Sequence, residues 1–152
     1  MERVGTTRGR IKAISVSKER GTQKSNVHEA ELREGFGIVG DAHAGDWHRQ
    51  VSLLGVESVR KAAAGDSSIS PGDFAENITT EGIDLSFLKV GSRLRIGGGA
   101  ELEVTQLGKR CEGRCQIYER LGDCIMPRDG IFARVTRGGR IRVGDAVEVV
   151  DD

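Results

Sequence analysis

Short stretches in which polar and apolar residues alternate, separated by glycine-rich turns, run through most of the chain. Alternation with a period of two residues is typical of strands that bury one face. In residues 100–107, for example, it places Ala100, Leu102 and Val104 on the same face. The segments that we predict as strands are residues 10–17, 27–33, 50–54, 77–80, 93–96, 100–107, 131–137 and 146–150.

Helical signals are few. The best is residues 56–64, Asp84 is a candidate cap for a turn that extends to Leu88, and residues 116–121 form a third candidate. The glycine-bounded stretch 138–145 is predicted to be a hairpin that joins the last two strands and closes the structure. Seven or eight short strands in one domain (residues 1–152) predict a mostly β fold, a closed or nearly closed β-barrel with two or three short helices.

The composition of the chain argues against several classes of protein. The chain has 23 Lys+Arg and 23 Asp+Glu, and this zero net charge argues against a general binder of nucleic acids or membrane surfaces. The first ten residues have no apolar stretch behind their charges, so we expect no signal peptide, and no run approaches the length that spans a bilayer. Three cysteines are an odd number, in a chain long enough to fold without disulfides. We therefore expect free thiols and a cytoplasmic protein.

Two of the three cysteines lie among cationic residues. Cys111 and Cys115 have Lys109, Arg110 and Arg114 as neighbours, and positive charge favours the thiolate form of a cysteine that is not deeply buried. A thiolate attacks electrophiles, carries sulfur as a persulfide or binds a soft metal. The spacing Cys-x3-Cys-x8-Cys matches neither the knuckles of zinc ribbons nor common iron–sulfur runs, although zinc bound by the cysteines and a histidine remains an alternative. The third cysteine, Cys124, has apolar neighbours and is interpreted as a small buried hydrophobe.

Two polar segments carry further candidates. Residues 37–50 contain two aspartates and two histidines, which is compatible with a metal site, but Asp and Gly are also typical of a structured loop, and we favour the loop. Arg49 lies at the entry to an apolar strand, where its head can point into a barrel mouth. Residues 70–80 combine a turn with Asn77, whose amide can bind an anion or a heterocycle; a turn with satisfied caps is the plainer interpretation.

Together these motifs resemble the MOSC domain, the C-terminal domain of molybdenum cofactor sulfurases. They are Gly-x-x-Gly-Asp-x-His-x-Gly followed by Arg-Gln-Val-Ser-Leu-Leu, then Pro-Gly-Asp-Phe-Ala-Glu-Asn with Gly-Ile-Asp-Leu, then Glu-Val-Thr-Gln leading to a cysteine. The similarity runs from about residue 9 to residue 150, in the right order, and is greatest to the short, stand-alone bacterial members. It implies a MOSC-like β-barrel and a site for the pterin form of the molybdenum cofactor (molybdopterin).

The resemblance also implies roles for residues. Cys115, in the context Arg-Cys-Gln, is implied to carry sulfur as a persulfide or to ligate molybdenum, and Cys111 is a second thiol that resolves a persulfide or closes a disulfide. In the molybdoenzyme relatives an Arg-Pro pair precedes the family's asparagine, whereas Ala75 and Glu76 stand there in this chain, so one phosphate contact is lost. The residues that we expect to bind the cofactor are Arg49, Asn77, Lys109 and Arg114.

The leading hypothesis is a protein that binds molybdenum cofactor and handles sulfur. Its expected partners are a cysteine desulfurase or another sulfur donor, together with molybdenum cofactor biosynthesis proteins or molybdoenzymes. No pyridoxal phosphate is expected, because the desulfurase that uses it is a whole additional domain, which 152 residues of mostly strand cannot supply. The alternatives are a molybdenum-dependent reductase of N-hydroxylated compounds and a non-catalytic cofactor carrier or chaperone.

Overall fold

The computed structural model describes residues 7–18, 24–63, 71–72, 74, 76–108 and 130–150. Two helical elements occur in this part of the chain, the α-helix α1 (Val56–Ala63) and a 3-10 helix (Leu85–Phe87). The strands there are β1 (Arg8–Val16), β2 (Ser25–Val27), β3 (Glu29–Arg33), β4 (Gly37–Ile38), β5 (Val51–Gly55), β6 (Ile78–Glu81), β7 (Arg93–Ile96), β8 (Ala100–Leu107), β9 (Ile131–Arg137), β10 (Gly139–Arg142) and β11 (Ala146–Val150).

Seven of these strands form a closed barrel in the order β11-β7-β8-β9-β5-β6-β1. The barrel closes because β11 pairs antiparallel with β1, at Arg8↔Glu148 and Gly9↔Val147. Six of the seven pairings are antiparallel and one, between β5 and β6, is parallel. The predicted β-barrel is therefore confirmed, and closure removes the unpaired edges that a small sheet would otherwise expose.

The barrel core follows from the alternation of side chains. On β8, Ala100, Leu102 and Val104 are buried in the core cluster, as predicted, and the residues between them are partly exposed. Strand β5 and the first three residues of β9 differ because they are buried on both faces. Leu54 and Phe132 point away from the core cluster and yet are almost fully buried. Helix α1 packs against β5 and β6 and covers part of the outward face of the barrel.

Most local predictions agree with the structure. Strands β7, β8, β9 and β11 have the predicted bounds, and α1 ends one residue earlier than expected. Asp84 caps the 3-10 helix by accepting a hydrogen bond from the Ser86 N–H at 2.9 Å. The candidate helix at residues 116–121 lies outside the described residues. Neither helical element described here is long and apolar enough to cross a membrane.

Two local predictions were wrong. Residues 138–145 do not form a hairpin between the last two strands; β10 pairs with β3 in a separate three-stranded sheet, β10-β3-β4. The physical reason is Ile141, which is fully buried opposite Ala30 in this pairing and would be exposed at the tip of a hairpin. Residues 27–33 also form two strands instead of one, separated at His28.

Candidate functional site

The structure describes two of the predicted site residues, Arg49 in the loop before β5 and Asn77 immediately before β6. The other four lie outside the described residues; they are Cys111, Cys115, Lys109 and Arg114. In the sequence they stand between Gly108 and Gly130, and the Gly108 N–H donates to the Gly130 carbonyl at 2.6 Å.

Arg49 is a half-buried cation with aromatic neighbours. Its guanidinium carbon lies 4.8 Å from the centre of the Trp47 ring and 5.7 Å from the centre of the Phe132 ring. Its Nε is buried and has no hydrogen-bond partner. Among the described residues, no carboxylate forms an ion pair with it. The rings stabilise the cation through their faces and leave its in-plane N–H groups able to bind an anion.

Hydrogen bonds connect the Arg49 loop to Gly108, the last described residue before the cysteine-bearing segment of the sequence. The Gln106 amide donates to the Gly108 carbonyl at 2.7 Å, and Gln106 Oε1 lies 2.9 Å from His48 Nε2. The Thr105 hydroxyl donates to the His48 carbonyl. A register shift between β8 and β9 at this point turns Gln106 toward the loop, as bulges beside functional sites often do. Two hydrogen bonds thus link Gly108 to the residue next to Arg49.

Asn77 is fully buried, and its side-chain amide is engaged within the protein. Its Oδ1 accepts from the Ser52 N–H at 2.9 Å and from the Ser52 hydroxyl at 3.1 Å, while Nδ2 donates to the Ser15 carbonyl at 3.1 Å. These contacts join β6 to β5 on one side and to β1 on the other. Phe132 is opposite Ser52 in the register of β9 and β5, so Asn77 lies on the same outward face as Phe132, which contacts Arg49.

Glu76 is a buried acidic residue that the sequence did not indicate as a candidate site residue. It is fully buried, and its Oε2 accepts a hydrogen bond from the Thr79 hydroxyl at 2.8 Å. Its Oε1 has no hydrogen-bond partner. Burial raises the pKa of this carboxyl, more than the nearby backbone N–H groups of Gly72, Glu76 and Phe74 and the Thr79 hydroxyl lower it. The backbone N–H groups and the Thr79 hydroxyl thus hold this carboxyl inside the protein.

The Gly-Asp-x-His segment is a structured loop built around a buried ion pair. Lys24 Nζ lies 2.8 Å from Asp41 Oδ1, and both side chains are closed to solvent. Asp41 also accepts from the Ser17 N–H and the His43 N–H, each at 3.0 Å, so the aspartate bonds its own loop as expected. The Trp47 indole donates to the His43 carbonyl at 2.7 Å. The ion pair therefore fixes the backbone that presents Trp47 to Arg49.

Charges in this loop act strongly on Asp41. Burial alone would raise the pKa of its carboxyl, but the contacts with His43 and Lys24, the charge of Lys24 and the Ser17 N–H hold that pKa well below its usual range. Lys24 also donates to the Ser17 hydroxyl at 3.0 Å and lies 3.1 Å from His43 Nδ1. His43 Nδ1 also lies 3.5 Å from Asp41 Oδ2. Asp41 and His43 Nδ1 are thus occupied, and no group of potential metal ligands occurs among the residues that the structure describes.

A family model for the MOSC domain matches residues 40–148. This chain belongs to the MOSC domain family. Among solved structures, the YuaD protein from Bacillus subtilis has a TM-score of 0.75 at 21% identity, covering 93% of this chain and 95% of that chain. YiiM from Geobacillus stearothermophilus has a TM-score of 0.70 at 19% identity, covering 93% and 75%. YiiM from Escherichia coli has 0.65 at 20%, covering 94% and 70%. A search of curated proteins finds no match.

The MOSC family is commonly linked to molybdenum cofactor binding, so we asked whether the described residues fit a phosphorylated pterin. One observation favours a fit. Arg49 offers a cation that no described carboxylate neutralises, and its buried Nε has no partner. Glu76 is closed to solvent, and backbone N–H groups and the Thr79 hydroxyl bond its carboxyl. Asn77 likewise has its side-chain oxygen and nitrogen occupied by Ser52 and Ser15.

The residues that sequence reasoning missed are Lys24 and Glu76. Lys24 stands in a polar stretch, 17 positions before Asp41, and nothing local indicates that its ammonium is buried. For Glu76 the sequence indicates only that it stands where larger relatives have a proline. A signal was present for Trp47, because it is the single tryptophan of the chain and stands two residues before Arg49.

Proposed function

We propose that this MOSC protein binds the phosphorylated pterin of the molybdenum cofactor and handles sulfur through a cysteine thiolate. The observation that carries the proposal is the Arg49 guanidinium, which faces two aromatic rings, has a buried Nε without a partner and lacks a carboxylate among the described residues. Membership of the MOSC family supports the cofactor, and the charges around Cys115 in the sequence support the thiolate.

Arg49 would bind the phosphate. Guanidinium N–H groups match the oxygens of a phosphate in pairs, and the bonds are strengthened by charge on both partners. Burial of Nε keeps water from competing at that position, and the two rings hold the group in one orientation. In the sequence, Lys109 and Arg114 add positive charge to the segment that begins at Gly108, which is two hydrogen bonds from His48.

Cys115 would perform the sulfur chemistry, with Cys111 as a second thiol. The Cys115 thiolate attacks the terminal sulfur of a persulfide on a desulfurase or another sulfur donor; the donor leaves as a thiolate and Cys115 becomes the persulfide. When bound, the cofactor would supply a molybdenum centre that a thiolate can ligate. This role places the protein in the cytoplasm, where thiols stay reduced, with a molybdoenzyme or a cofactor biosynthesis protein as recipient.

The phosphate contact predicts a change in tryptophan fluorescence. Because Trp47 is the single tryptophan and its ring lies 4.8 Å from the Arg49 guanidinium carbon, inorganic phosphate that binds Arg49 should change its emission in a saturable titration. Arg49→Ala should weaken the apparent binding by about 1.5–3 kcal/mol, the value of a hydrogen bond to a charged group. Arg49→Lys should rescue only part of this loss, because a lysine lacks the planar pair of donors.

Arg33→Ala is the matched control for this titration. Arg33 also lies over an aromatic ring, with its guanidinium carbon 5.3 Å from the centre of the Phe36 ring, but it is exposed. We expect it to leave the Trp47 titration unchanged. Sodium chloride at the same ionic strength controls for screening. Equal phosphate responses in wild type and Arg49→Ala would remove the main support for the proposed function.

The thiol assignment predicts selective alkylation. Cys115 should react faster than Cys124 near neutral pH, because three cationic residues lie near Cys115 in the sequence and apolar residues flank Cys124. Pulse labelling of the reduced protein, followed by peptide mass spectrometry, measures both rates. Equal labelling, or faster labelling of Cys124, would contradict the role of Cys115. Molybdenum content of freshly purified protein separates a metal-loaded protein from a sulfur carrier.

A further inference from the structure

His48 stands beside Arg49 in the loop before β5, and one nitrogen of its imidazole is held by β8. His48 Nε2 lies 2.9 Å from Gln106 Oε1, and the Gln106 amide nitrogen donates to the Gly108 carbonyl at 2.7 Å. Because a carbonyl oxygen only accepts, the Gln106 nitrogen faces Gly108 and the Gln106 oxygen faces His48. An amide oxygen also only accepts, so His48 Nε2 carries a hydrogen and donates it to this bond.

The other ring nitrogen of His48, Nδ1, has no hydrogen-bond partner within the described part of the chain. The His48 side chain is exposed, so a solute can reach the imidazole from solvent. With the hydrogen on Nε2, a neutral imidazole accepts at Nδ1, and a protonated one donates there. Histidine is the side chain that commonly gains this proton near neutral pH. Nδ1 is therefore a position at which His48 can become a cationic donor.

Two sets of contacts bring the His48 imidazole and the Arg49 guanidinium to the same region. Gln106, which holds His48, is directly opposite Phe132 in the register of β8 and β9. Opposite residues project to the same face of a sheet, with Cβ atoms about 5 Å apart, and Arg49 lies over the Phe132 ring. Both groups also lie against Trp47. The centre of the Trp47 ring is 5.7 Å from that of His48 and 4.8 Å from the Arg49 guanidinium carbon.

We propose that His48 is a second anion-binding residue of the Arg49 site, and that its protonated imidazole donates from Nδ1 to the phosphate that Arg49 binds. This inference rests on the proposed function and adds that the group bound is a tetrahedral dianion, whose two charges two neighbouring cations balance. An anion that brings no proton of its own is then bound together with one proton from water, which His48 takes up.

The charges around His48 favour this coupling. In its own loop the charged neighbours along the chain are Asp46 and Arg49, while the β8 residues that contact His48, Thr105 and Gln106, are uncharged. Two cations side by side repel each other, and an anion bound by both offsets that repulsion. The anion and the proton on His48 should therefore bind together, and binding should become tighter as pH falls.

Sulfate titrations at two pH values test the proposal. Sulfate is a tetrahedral dianion that gains no proton between pH 6 and pH 8, whereas phosphate does, so a pH effect on sulfate binding comes from the protein. At constant ionic strength, with Trp47 emission as the signal, the wild type should bind sulfate about 10-fold more tightly at pH 6 than at pH 8, the effect of one hydrogen bond from a charged group. His48→Gln keeps a neutral polar side chain and should bind sulfate equally, and weakly, at both pH values.

His28→Gln is the matched control, because His28 is also exposed but lies between β2 and β3. It should retain the difference between the two pH values. Equal sulfate affinity of the wild type at pH 6 and pH 8, or the same pH effect in wild type and His48→Gln, would overturn the inference. Failure of the proposed function would look different, since a phosphate response at pH 8 that depends on Arg49 would persist if only the role of His48 were wrong.

Discussion

Replacing Lys24 with methionine should lower the free energy of unfolding by about 3–5 kcal/mol, because it leaves the Asp41 carboxylate buried without its cation. Both side chains of the pair are closed to solvent, and the nitrogen–oxygen distance is 2.8 Å. The same substitution removes the donors to the Ser17 hydroxyl and to His43 Nδ1. Urea denaturation followed by circular dichroism measures the loss, and Lys89→Met, at an exposed position, should change stability by no more than about 0.5 kcal/mol.

Removing the Asp41 charge as well tests whether the broken ion pair causes the loss of stability in Lys24→Met. The double variant Lys24→Met, Asp41→Asn leaves no unpaired buried charge, so its loss of stability should be smaller than the sum of the two single losses. A strictly additive result would show that the two charges do not interact. The effect of the ion pair on the loop conformation can be measured separately by fluorescence. Because the Trp47 indole donates to the His43 carbonyl, the Trp47 emission should shift in Lys24→Met under native conditions.

Acid should affect the same pair. The folded-state pKa of Asp41 is lowered, so its contribution to stability is present above the ordinary value of 3.8 and is lost as pH falls below it. Between pH 6 and about pH 3, the wild type should therefore lose more stability than Asp41→Asn, which has no carboxyl to protonate at this position.

The periodicity of the sequence was sufficient to predict the barrel but not all of its connections. Strands β7, β8, β9 and β11 have sharp glycine boundaries and regular alternation, and their limits were predicted correctly. The error at residues 138–145 has a different origin. Local turn chemistry indicates a hairpin there, whereas Ile141 is buried by a distant strand, β3, and that long-range contact leaves no local signal.

The candidate site could be predicted only in part for a related reason. A candidate such as Arg49, for which we propose a role from its own loop, is recognisable from residue type and the neighbouring strand. The burial of Lys24 and Glu76 depends on elements that meet only in the folded barrel, so their sequence surroundings look like ordinary polar loops. The assignments of Cys111, Cys115, Lys109 and Arg114 stay predictions that the alkylation and binding experiments test.

Replacing Asn77 with alanine should have the second large effect on the free energy of unfolding. The same substitution tests whether Asn77 has a structural or a ligand-binding role. Its amide joins three strands of the barrel through Ser52 on β5 and Ser15 on β1. Asn77→Ala removes the acceptor of the Ser52 N–H and the donor to the Ser15 carbonyl, all in a fully buried position. With about 1–3 kcal/mol for each buried group that loses its partner, unfolding should become easier by about 3 kcal/mol.

Ser52→Ala provides the comparison for this substitution. It removes the hydroxyl that bonds Asn77 Oδ1 and the Asn77 N–H but keeps the backbone donor at 2.9 Å, so it should cost only about 1 kcal/mol. Denaturation of the ligand-free proteins measures both effects. If Asn77→Ala is as stable as the wild type but binds phosphate or pterin poorly, Asn77 is a cofactor residue, as its place in the MOSC motif implies. If it unfolds as expected and Arg49→Ala does not, Asn77 holds the strands together beneath the site, and Arg49 makes the contact with the ligand.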